Sequence, residues 1–559
     1  MGKKVGIDLG TTYSVVSYVD ETGTIVNIES SEGEKTTPSV VFFDPDGQTV
    51  VVGSSAREAG AMNPECLVER VKSYMDDATK QIPMNGESYS PSAVSSIILT
   101  KLIRDAETAL GGEEIEGAVI TCPAYFGDVA KNATKMAGEN VILANGEHLK
   151  VLRIIDEPTA AAIAYGNSRN EDMHKTVLIY DLGGGTFDCT VMKLDFEGMK
   201  KDYQVITTGG NHMLGGKDWD QRLSEYVIAE FCNATGCDAK DMAEDFEIKA
   251  WLSENVEKAK KLLTNKPSTT LTPSFDGQKY KVEITREKFD ELTEGLFNET
   301  VSLIDKMMAA SSLNFENNID EIILIGGSTR MPQVTEKLAQ IYNKPITTYD
   351  PDKAVSNGAA LVASGMNVNP QPQPDDSQNP QQPGGGGSLS NNQTSFKGKN
   401  GEEGVVHEVC NKSYCFRYFS SGEEKYGNLI FKDEPKPAVG TTASLGMGAF
   451  VLSTANPPYM MDSIMLKVME NEVKNKDKDD KTVDIGQCSQ IFDEVEMKLE
   501  PPLSSDTPII VELALDPSGI ISMTLVEENT GVRHTIKLQR KDQDLMESGM
   551  TAANKLSLG

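Results

Sequence analysis

The sequence lacks the long apolar run that a membrane-spanning helix needs. Such a helix requires about 18 to 20 consecutive apolar residues, and no run of that length occurs in the 559 residues. The N-terminus, Met1–Val5, enters a strand-like stretch without the apolar region of a secretory signal. We therefore expect a cytoplasmic protein that has no membrane contact.

Basic charge is also scarce. Lysine and arginine number 53 against 84 aspartates and glutamates, so the net charge is −31. General binding of nucleic acid requires a basic face, and we expect none here. The acidity does not exclude a nucleotide such as ATP, because a local pocket can hold one.

Cysteine and histidine are few, and their spacing is not that of a zinc site. Among the eight cysteines there is no Cys-x-x-Cys pair, and the five histidines are scattered. Cys232 and Cys237 are five residues apart, as are Cys410 and Cys415. In a cytoplasmic protein this pattern favours reduced, mostly buried thiols.

The most informative stretch is Asp181–Asp188, which reads Asp-Leu-Gly-Gly-Gly-Thr-Phe-Asp. Its flanks, Thr176–Tyr180 and Cys189–Leu194, are rich in β-branched and apolar residues and predict strands. Three consecutive glycines predict the turn, and their backbone N–H groups can approach an anion closely. A carboxylate at each end favours a divalent cation beside the anion. The stretch predicts a nucleotide-phosphate hairpin that works with magnesium.

A similar device occurs near the N-terminus. Val5–Thr12 contains the same Asp-Leu-Gly and leads into the strand-like Val15–Val19. This internal repeat predicts two similar lobes. Neither copy is a Walker loop or a Rossmann fingerprint, because no Gly-Lys-Ser/Thr closes it and a strand follows where those motifs place a helix.

Composition divides the chain into four parts. Residues 1–366 alternate strand and helix patterns, whereas 367–404 is rich in proline, glutamine and glycine and predicts a disordered linker. Residues 405–540 carry alternating apolar runs with turn signals and predict an all-β domain. Residues 541–559 read as a short polar tail.

An amphipathic helix is predicted over 247–264. One face is apolar. The spacing of three and four residues puts four polar side chains on another face, which from the sequence alone is typical of a solvated surface. These side chains are Glu257, Lys260, Lys261 and Thr264.

Five motifs occur in order along the first 366 residues: Gly6–Ser14, Val71-Lys72, Asp156–Ala162, Asp181–Asp188 and Gly326–Arg330. Together they resemble the nucleotide-binding domain of the seventy-kilodalton heat-shock chaperones (DnaK-type). That resemblance implies an α/β fold, a two-lobed actin-like ATPase domain built from duplicated ribonuclease-H-like lobes, followed by an all-β sandwich. It also implies slow hydrolysis of ATP to ADP and phosphate.

The resemblance assigns catalytic roles to five residues. Lys72 is expected beside the γ-phosphate, where it orients water, and the competing alignment on Glu69-Arg70 leaves no lysine there. Glu157 is expected to position water, and the hydroxyl of Thr186 to meet the γ-phosphate. Asp8 and Asp181 are expected to hold Mg²⁺, largely through water.

The same resemblance implies further contacts to ATP or ADP, and it turns the polar helix face into an adenine and ribose site. The phosphate-side residues are Gly10, Thr11, Thr12, Tyr13, Gly183, Gly184, Gly185, Gly215 and Gly216. The adenosine-side residues are Glu257, Lys260, Lys261, Thr264, Gly326, Gly327, Ser328, Thr329, Arg330 and Asp352.

The second domain is similar, more faintly, to the β-sandwich peptide-binding domain of the same family. Its implied partner is an unfolded or extended polypeptide, with a J-domain protein and a nucleotide-exchange factor as further partners. By analogy the peptide pocket contains Leu452, Ala455, Ile464 and Leu466, and the alternative is that these residues are sandwich core.

Two departures from the family lie outside the nucleotide site. The long polar linker offers nothing to bury on the ATPase domain, and the helical lid is missing. Weak binding of polypeptide and weak coupling between the domains are therefore expected.

Three alternatives stay open. In the first, the protein is a nucleotide-dependent scaffold whose β-domain binds one specific partner. In the second it is a small-molecule kinase of the same superfamily, and in the third it forms an actin-like filament. If unfolded polypeptide leaves ATP turnover unchanged, the scaffold is favoured over a chaperone.

Overall fold

The computed structural model shows two α/β lobes and a β-rich domain. Within the described part of the chain, no helix is both long and apolar enough to cross a membrane. The residues described are 2–77, 79–169, 171–366, 394–397, 401–451, 458–474, 482–490, 494–516, 521–537, 552–553 and 555–556.

The first lobe contains most of the residues before Asn167. Its elements are β1 (Lys3–Asp8), β2 (Tyr13–Val19), β3 (Ile25–Ile28), β4 (Thr37–Pro38), β5 (Val40–Phe43), β6 (Val50–Val52), α1 (Ser54–Gly60), β7 (Leu67–Glu69), β8 (Ile82–Met84), β9 (Glu87–Tyr89), α2 (Pro91–Ala109), β10 (Ile115–Cys122), α3 (Asp128–Glu139), β11 (Val151–Asp156) and α4 (Glu157–Asn167).

The second lobe follows directly. Its elements are β12 (Met173–Leu182), β13 (Phe187–Glu197), β14 (Lys200–Asn211), α5 (Gly216–Thr235), α6 (Ala239–Glu244), α7 (Phe246–Asn265), β15 (Ser268–Leu271), β16 (Ser274–Phe275), β17 (Gln278–Lys279), β18 (Val282–Thr285), α8 (Arg286–Ala310), α9 (Phe315–Asn318), β19 (Glu321–Ile325), α10 (Pro332–Tyr342), β20 (Ile346–Thr348) and α11 (Ala354–Gly365).

The remaining elements are strands. They are β21 (Thr394–Lys397), β22 (Glu403–His407), β23 (Ser413–Ser420), β24 (Glu423–Ile430), β25 (Ala438–Thr441), β26 (Leu445–Gly446), β27 (Met460–Leu466), β28 (Val468–Asn471), β29 (Cys488–Gln490), β30 (Val495–Ser504), β31 (Pro508–Leu515), β32 (Ile521–Glu527) and β33 (Arg533–Lys537).

The predicted repeat is present as two matching sheet cores. In the first lobe β1 pairs antiparallel with β2 and parallel with β10, in the order β11-β10-β1-β2-β3. In the second lobe β12 pairs antiparallel with β13 and parallel with β19. Each hairpin turn therefore emerges at the same edge of its sheet, where β1 ends at Asp8 and β12 ends at Leu182, next to Asp181. The predicted two-lobed fold is confirmed.

The β-domain packs two main sheets around one apolar core. One sheet has the order β24-β23-β28-β29 and the other has β25-β31-β32-β33. Side chains from both sheets, and from the β27–β30 pair, share one buried cluster that includes Phe416, Ile464 and Leu513. This arrangement is the predicted all-β sandwich.

The predicted linker boundary is wrong at its C-terminal end. β22 (Glu403–His407) adds to the second lobe as a parallel neighbour of β14, and β21 (Thr394–Lys397) covers its other side. Val406 and Phe396 are only 2% and 3% exposed, so this stretch buries apolar side chains although its composition is polar. The expectation that the linker has nothing to bury on the ATPase domain is therefore also wrong for these strands. Residues 367–393 and 398–400 of the predicted linker lie outside the described residues.

Two further expectations are corrected. Cys232 and Cys237 form a disulfide at the end of α5, so the expectation of reduced thiols is wrong for this pair. The predicted polar tail contains Ala552, Ala553 and Leu556, which join the apolar core of the first lobe.

Candidate functional site: the cleft between the lobes

The two predicted phosphate loops face each other across the cleft. A Cβ atom at Gly184 would lie 1.9 Å from Oγ1 of Thr12, and one at Gly185 would lie 2.6 Å from Cγ2 of Thr11. Only glycine permits this approach, because any side chain would push the loops apart. The loops from both lobes can therefore contact one ligand together.

The loop of the second lobe is held by backbone hydrogen bonds. The N–H of Gly183 donates to the carbonyl of Thr186 at 3.0 Å and closes the turn. The carbonyl of Gly183 accepts from the N–H of Gly216 and from the hydroxyl of Ser328, both at 2.9 Å. The predicted residues Gly183, Gly216 and Ser328 thus meet at one point.

The loop of the first lobe is held by two serines. The N–H of Gly10 donates to Oγ of Ser14 at 3.2 Å, and the hydroxyl of Ser39 donates to the carbonyl of Gly10 at 2.7 Å. The two serine oxygens are 2.9 Å apart. Sequence reasoning gave no role to Ser39, because it comes 29 residues after Gly10 and belongs to no motif.

Lys72 lies in this cleft, as predicted. It is the second residue of a 3₁₀ turn, Val71–Tyr74, and its side chain is 3% exposed. Its ammonium donates to the carbonyl of Leu9 and to Oε1 of Glu157. Burial alone would lower the pKa of Lys72, but the carboxylates of Glu157 and Asp8 outweigh it and raise the pKa. The lysine therefore stays charged inside the protein.

Carboxylates crowd around this lysine. Burial and the neighbouring Glu157 raise the pKa of Asp8 to about 7 and that of Asp188 to about 8. Burial raises the pKa of Asp181 too, and the nearby carboxylates of Glu157, Asp188 and Asp8 raise it further, against the opposing effect of Lys72. Carboxyl groups therefore outnumber ammonium groups among the described side chains of the cleft, and their charged form is disfavoured there.

This excess fits a divalent cation. Carboxylate oxygens are the ligands that Mg²⁺ prefers, and it usually keeps several waters. Asp8 and Asp181 lie at the ends of equivalent strands, β1 and β12, and act on each other electrostatically. The donor set therefore suits a cation between the two carboxylates.

The helix predicted over 247–264 is confirmed as α7, Phe246–Asn265, and it carries the polar residues that are predicted to contact adenosine. Glu257 and Lys261 form an ion pair at 2.8 Å. The ammonium of Lys261 also donates to the hydroxyl of Tyr13 at 3.3 Å, which joins the second lobe to the first. Arg57 donates to the same hydroxyl at 3.2 Å. Sequence reasoning missed Arg57, since it belongs to none of the motifs.

Lys260 and Thr264 have different surroundings from Lys261. The ammonium of Lys260 donates to the carbonyl of Gly216 at 3.0 Å and to Asp220 at 2.9 Å, so it braces the start of α5. The carbonyl of Thr264 accepts from Arg286 at 3.2 Å. Contact of either side chain with adenosine stays a prediction.

The Gly-Gly-Ser-Thr-Arg motif forms a turn after β19. Gly326 has a φ of +80°, and a Cβ there would lie 2.5 Å from Oδ1 of Asp181. Arg330 donates to Asp352 at 2.5 Å, and both side chains are largely exposed. The motif thus connects the metal-side carboxylate with the outer rim of the cleft. Its remaining predicted members are Gly327 and Thr329, which lie in the same turn.

Asp188 connects the lobes. Its Oδ1 accepts from the backbone N–H of Tyr125, in the first lobe, at 2.9 Å. The second acid of the hairpin therefore has a structural partner, whereas Asp181 faces the cleft carboxylates.

A second group of buried charges lies where the β-domain meets the first lobe. Lys131 pairs with Asp156 at 2.6 Å, and Arg153 pairs with Glu408, just after β22, at 3.1 Å. Asn411 donates to the other oxygen of Asp156 at 3.2 Å. We call these five residues the junction.

The predicted peptide pocket is only partly described. Ile464 and Leu466 are each 2% exposed and lie in the sandwich core, as the core alternative expects. Leu452 and Ala455 lie outside the described residues.

The residues of this chain that match known proteins include those that form the cleft. The family model described as "Hsp70 protein" matches residues 4–81 and 71–370. The chaperone protein DnaK of Thermotoga petrophila is 42% identical over 368 residues, which are 64% of this chain and 59% of that protein. DnaK of Thermotoga maritima matches to the same extent, and DnaK of Thermosipho melanesiensis is 41% identical over 367 residues.

The match thus spans only 59% of the length of these DnaK proteins. It nevertheless includes both lobes, both phosphate loops, Lys72 and the adenosine side. On this match over more than half of its residues, the chain belongs to the Hsp70 family.

Proposed function

We propose that the chain binds ATP with Mg²⁺ in the cleft and hydrolyses it slowly to ADP and phosphate. The observation that carries the proposal is the position of Lys72. Its buried ammonium lies between Glu157 and the backbone of the first phosphate loop, beside Asp8. The DnaK relatives support the same reading.

The residues of the cleft supply positioning and charge. Phosphoryl transfer to water needs little covalent chemistry from a protein, so the main contributions are orientation and stabilisation of the charge on the phosphoryl oxygens. Lys72 provides a fixed positive charge, held by Glu157 and the carbonyl of Leu9. The hydroxyls of Thr12 and Thr186 belong to the two glycine loops that approach each other at Gly184, and we propose that they contact the phosphates.

Mg²⁺, when bound, neutralises charge on the phosphates. Asp8 and Asp181 are the residues that would hold it. Glu157 accepts a hydrogen bond from Lys72 and keeps a second oxygen for orienting water.

Substitution of Lys72 by alanine tests the proposal. Removal of one positioned charge in such a site lowers turnover by about 100- to 1000-fold, so we expect ATP turnover of the full chain to fall by that order. Calorimetry should still detect ADP binding, which shows that the cleft is folded. Lys258→Ala removes an exposed lysine of α7 and serves as the control. Turnover in Lys72→Ala equal to that of the control contradicts the proposal.

We further propose that the β-domain binds unfolded or extended polypeptide. Within the described residues β27 pairs only with β30, so its other edge is available for an extended chain. Met460 and Met465 on this strand are 66% and 41% exposed, and flexible methionines suit varied apolar partners. This strand lies directly after the segment that contains Leu452 and Ala455.

Nucleotide and polypeptide are coupled, in this proposal, through the second-lobe sheet. β22 pairs with β14, β14 pairs with β13, and β13 begins at the phosphate hairpin. In this proposal a change at the hairpin travels along β13 and β14 to Lys200–Gln204, where β22 pairs, and so reaches the start of the β-domain. We also place a J-domain partner at the junction and an exchange factor on the lobes.

Val406→Asp tests this coupling, because Val406 is buried in β22 whereas the control Val439→Asp alters an exposed valine of β25. We expect an unfolded model polypeptide to raise ATP turnover in the control and not in Val406→Asp.

The buried state of Ile464 and Leu466 favours one alternative, in which the β-domain is a scaffold for a single folded partner. Unfolded polypeptide would then leave ATP turnover of the wild-type chain unchanged. No observation favours the small-molecule kinase or the filament. We propose the cytoplasm as the place of action.

A further inference from the structure

The outer part of the first lobe presents a strand edge that the nucleotide cleft does not use. β6 (Val50–Val52) pairs with β5 on one side, and the small sheet has the order β6-β5-β7. Edge strands offer unpaired N–H and C=O groups to any extended chain that comes near. Such an edge is either covered or is a place where a peptide binds.

A distant segment of the same chain covers this edge. The N–H of Val50 donates to the carbonyl of Lys555 at 3.1 Å, and Val50 forms a parallel bridge with Leu556. The segment itself is a compact turn, because the N–H groups of Lys555 and Leu556 donate to the carbonyls of Ala552 and Ala553 at 3.0 and 3.2 Å. About 500 residues of sequence separate the two partners.

Side chains extend the contact on both sides of the bridge. Ala552 and Leu556 are 1% and 8% exposed and belong to the same apolar cluster as Val50 and the side chains of α2. The ammonium of Lys555 donates to the carbonyl of Gly47 at 2.8 Å, and Arg104 donates to the carbonyl of Leu556 at 3.4 Å. Apolar burial, a backbone bond and two charged donors therefore act at one place.

We propose that β6, the preceding turn at Gly47 and α2 form a peptide-binding site on the first lobe. Its ligand is a short apolar turn that carries a lysine, and Ala552, Ala553, Lys555 and Leu556 of the same chain occupy it. The site is distinct from the nucleotide cleft and from the exposed edge of β27.

Occupation of this site attaches the β-domain to both lobes. β22 precedes the sandwich and pairs with the second lobe, whereas the segment 552–556 follows the last strand, β33, and binds the first lobe. The chain before the sandwich therefore contacts the second lobe, and the chain after it contacts the first lobe.

Hydrogen exchange in the full chain tests the proposal. In Leu556→Asp the segment should leave the site, and the amide of Val50 should exchange about tenfold faster or more, because local opening no longer breaks the added bond. Val532→Asp changes an exposed valine near β33 and should leave this amide as in the wild type. Lys555→Ala, which loses only the bond to Gly47, should give a smaller increase.

A synthetic peptide of residues 549–559 provides the second arm. Fluorescence anisotropy should show that the labelled peptide binds the Leu556→Asp chain, whose site is vacated, and binds the wild-type chain much more weakly. A peptide that carries the same Leu556→Asp change should bind neither. Equal exchange at Val50 in the variant and the wild type overturns the proposal, and so does equal binding of the peptide to both chains or to neither.

Discussion

The cleft and the junction both bury charge, but they balance it in opposite ways. In the cleft burial raises the pKa of Asp181, three carboxylates raise it further, and Lys72 opposes them. In the junction each buried acid has a cation within 3.1 Å or less. Burial alone would raise the pKa of Asp156, but Lys131 and Lys436 outweigh it and lower the pKa.

The cleft is a group of acids that repel one another, whereas the junction is a group in which each acid is paired with a cationic side chain. Isolated buried charge is costly, and a charge without its partner destabilises the fold. In the cleft a bound cation would offset that cost, whereas in the junction cationic side chains of the protein itself offset it. The same residue type, aspartate, therefore has opposite effects on stability in the two regions.

Neutralisation of the junction acid should have the largest effect on stability. Asp156→Asn leaves Lys131 buried without its countercharge, and loss of one partner of a buried pair costs about 3–5 kcal/mol. We expect the free energy of unfolding of the nucleotide-free chain to fall by that order. Chemical denaturation measures it. An unchanged value would show that the junction charges do not support the fold.

The acid dependence of stability gives a second test of the junction. Because the folded pKa of Asp156 is lowered, its contribution is complete above the unfolded pKa of about 3.9 and is lost as the pH falls through the lower folded pKa. The gap in unfolding free energy between the wild type and Asp156→Asn should therefore narrow as the pH falls below 4. A constant gap would contradict the assignment.

Neutralisation of a cleft acid should act in the opposite direction. Asp8→Asn removes one of several mutually repelling carboxylates, so the nucleotide-free chain should be as stable as the wild type or more stable. Denaturation under the conditions used for Asp156→Asn measures this. A loss of several kcal/mol would place Asp8 with the paired acids of the junction and remove the contrast between the two regions.

The smallest effect is expected at the rim of the cleft. Lys261 contacts Tyr13 and Glu257 and is half exposed, so Lys261→Ala should weaken ADP binding by about 0.5–1 kcal/mol, as for exposed ion pairs and cation–π contacts. Lys258→Ala, three residues earlier on the same helix, should leave ADP affinity unchanged. Calorimetry on both variants decides whether the adenosine-side assignment holds.

Local sequence was enough to predict the phosphate loops of the cleft. Each phosphate loop carries its own strand, turn and glycine pattern, and the choice of Lys72 over the Glu69-Arg70 alignment agrees with the position of its ammonium beside Leu9 and Glu157. The phosphate loops depend on residues close in sequence, so their pattern is visible in the linear sequence, whereas the role of Lys72 was predicted only through the family resemblance because its partners are 63 and 85 residues away.

Pairing with distant partners could not be predicted. β22 is five residues long and contains two valines among polar neighbours, and it is a strand because β14, some 200 residues earlier, offers an edge. The segment 552–556 binds β6 for the same reason. The Cys232–Cys237 disulfide and the role of Arg57 also depend on spatial proximity that spacing alone did not indicate.

The most direct test of the central claim is the affinity of the full chain for ADP with Mg²⁺ and with a chelator, measured by calorimetry. If the cleft carboxylates await a cation, ADP should bind at least about tenfold more tightly with Mg²⁺, a gain of about 1.4 kcal/mol, and Asp8→Asn should reduce that gain. Equal ADP affinity in the two conditions would contradict the account.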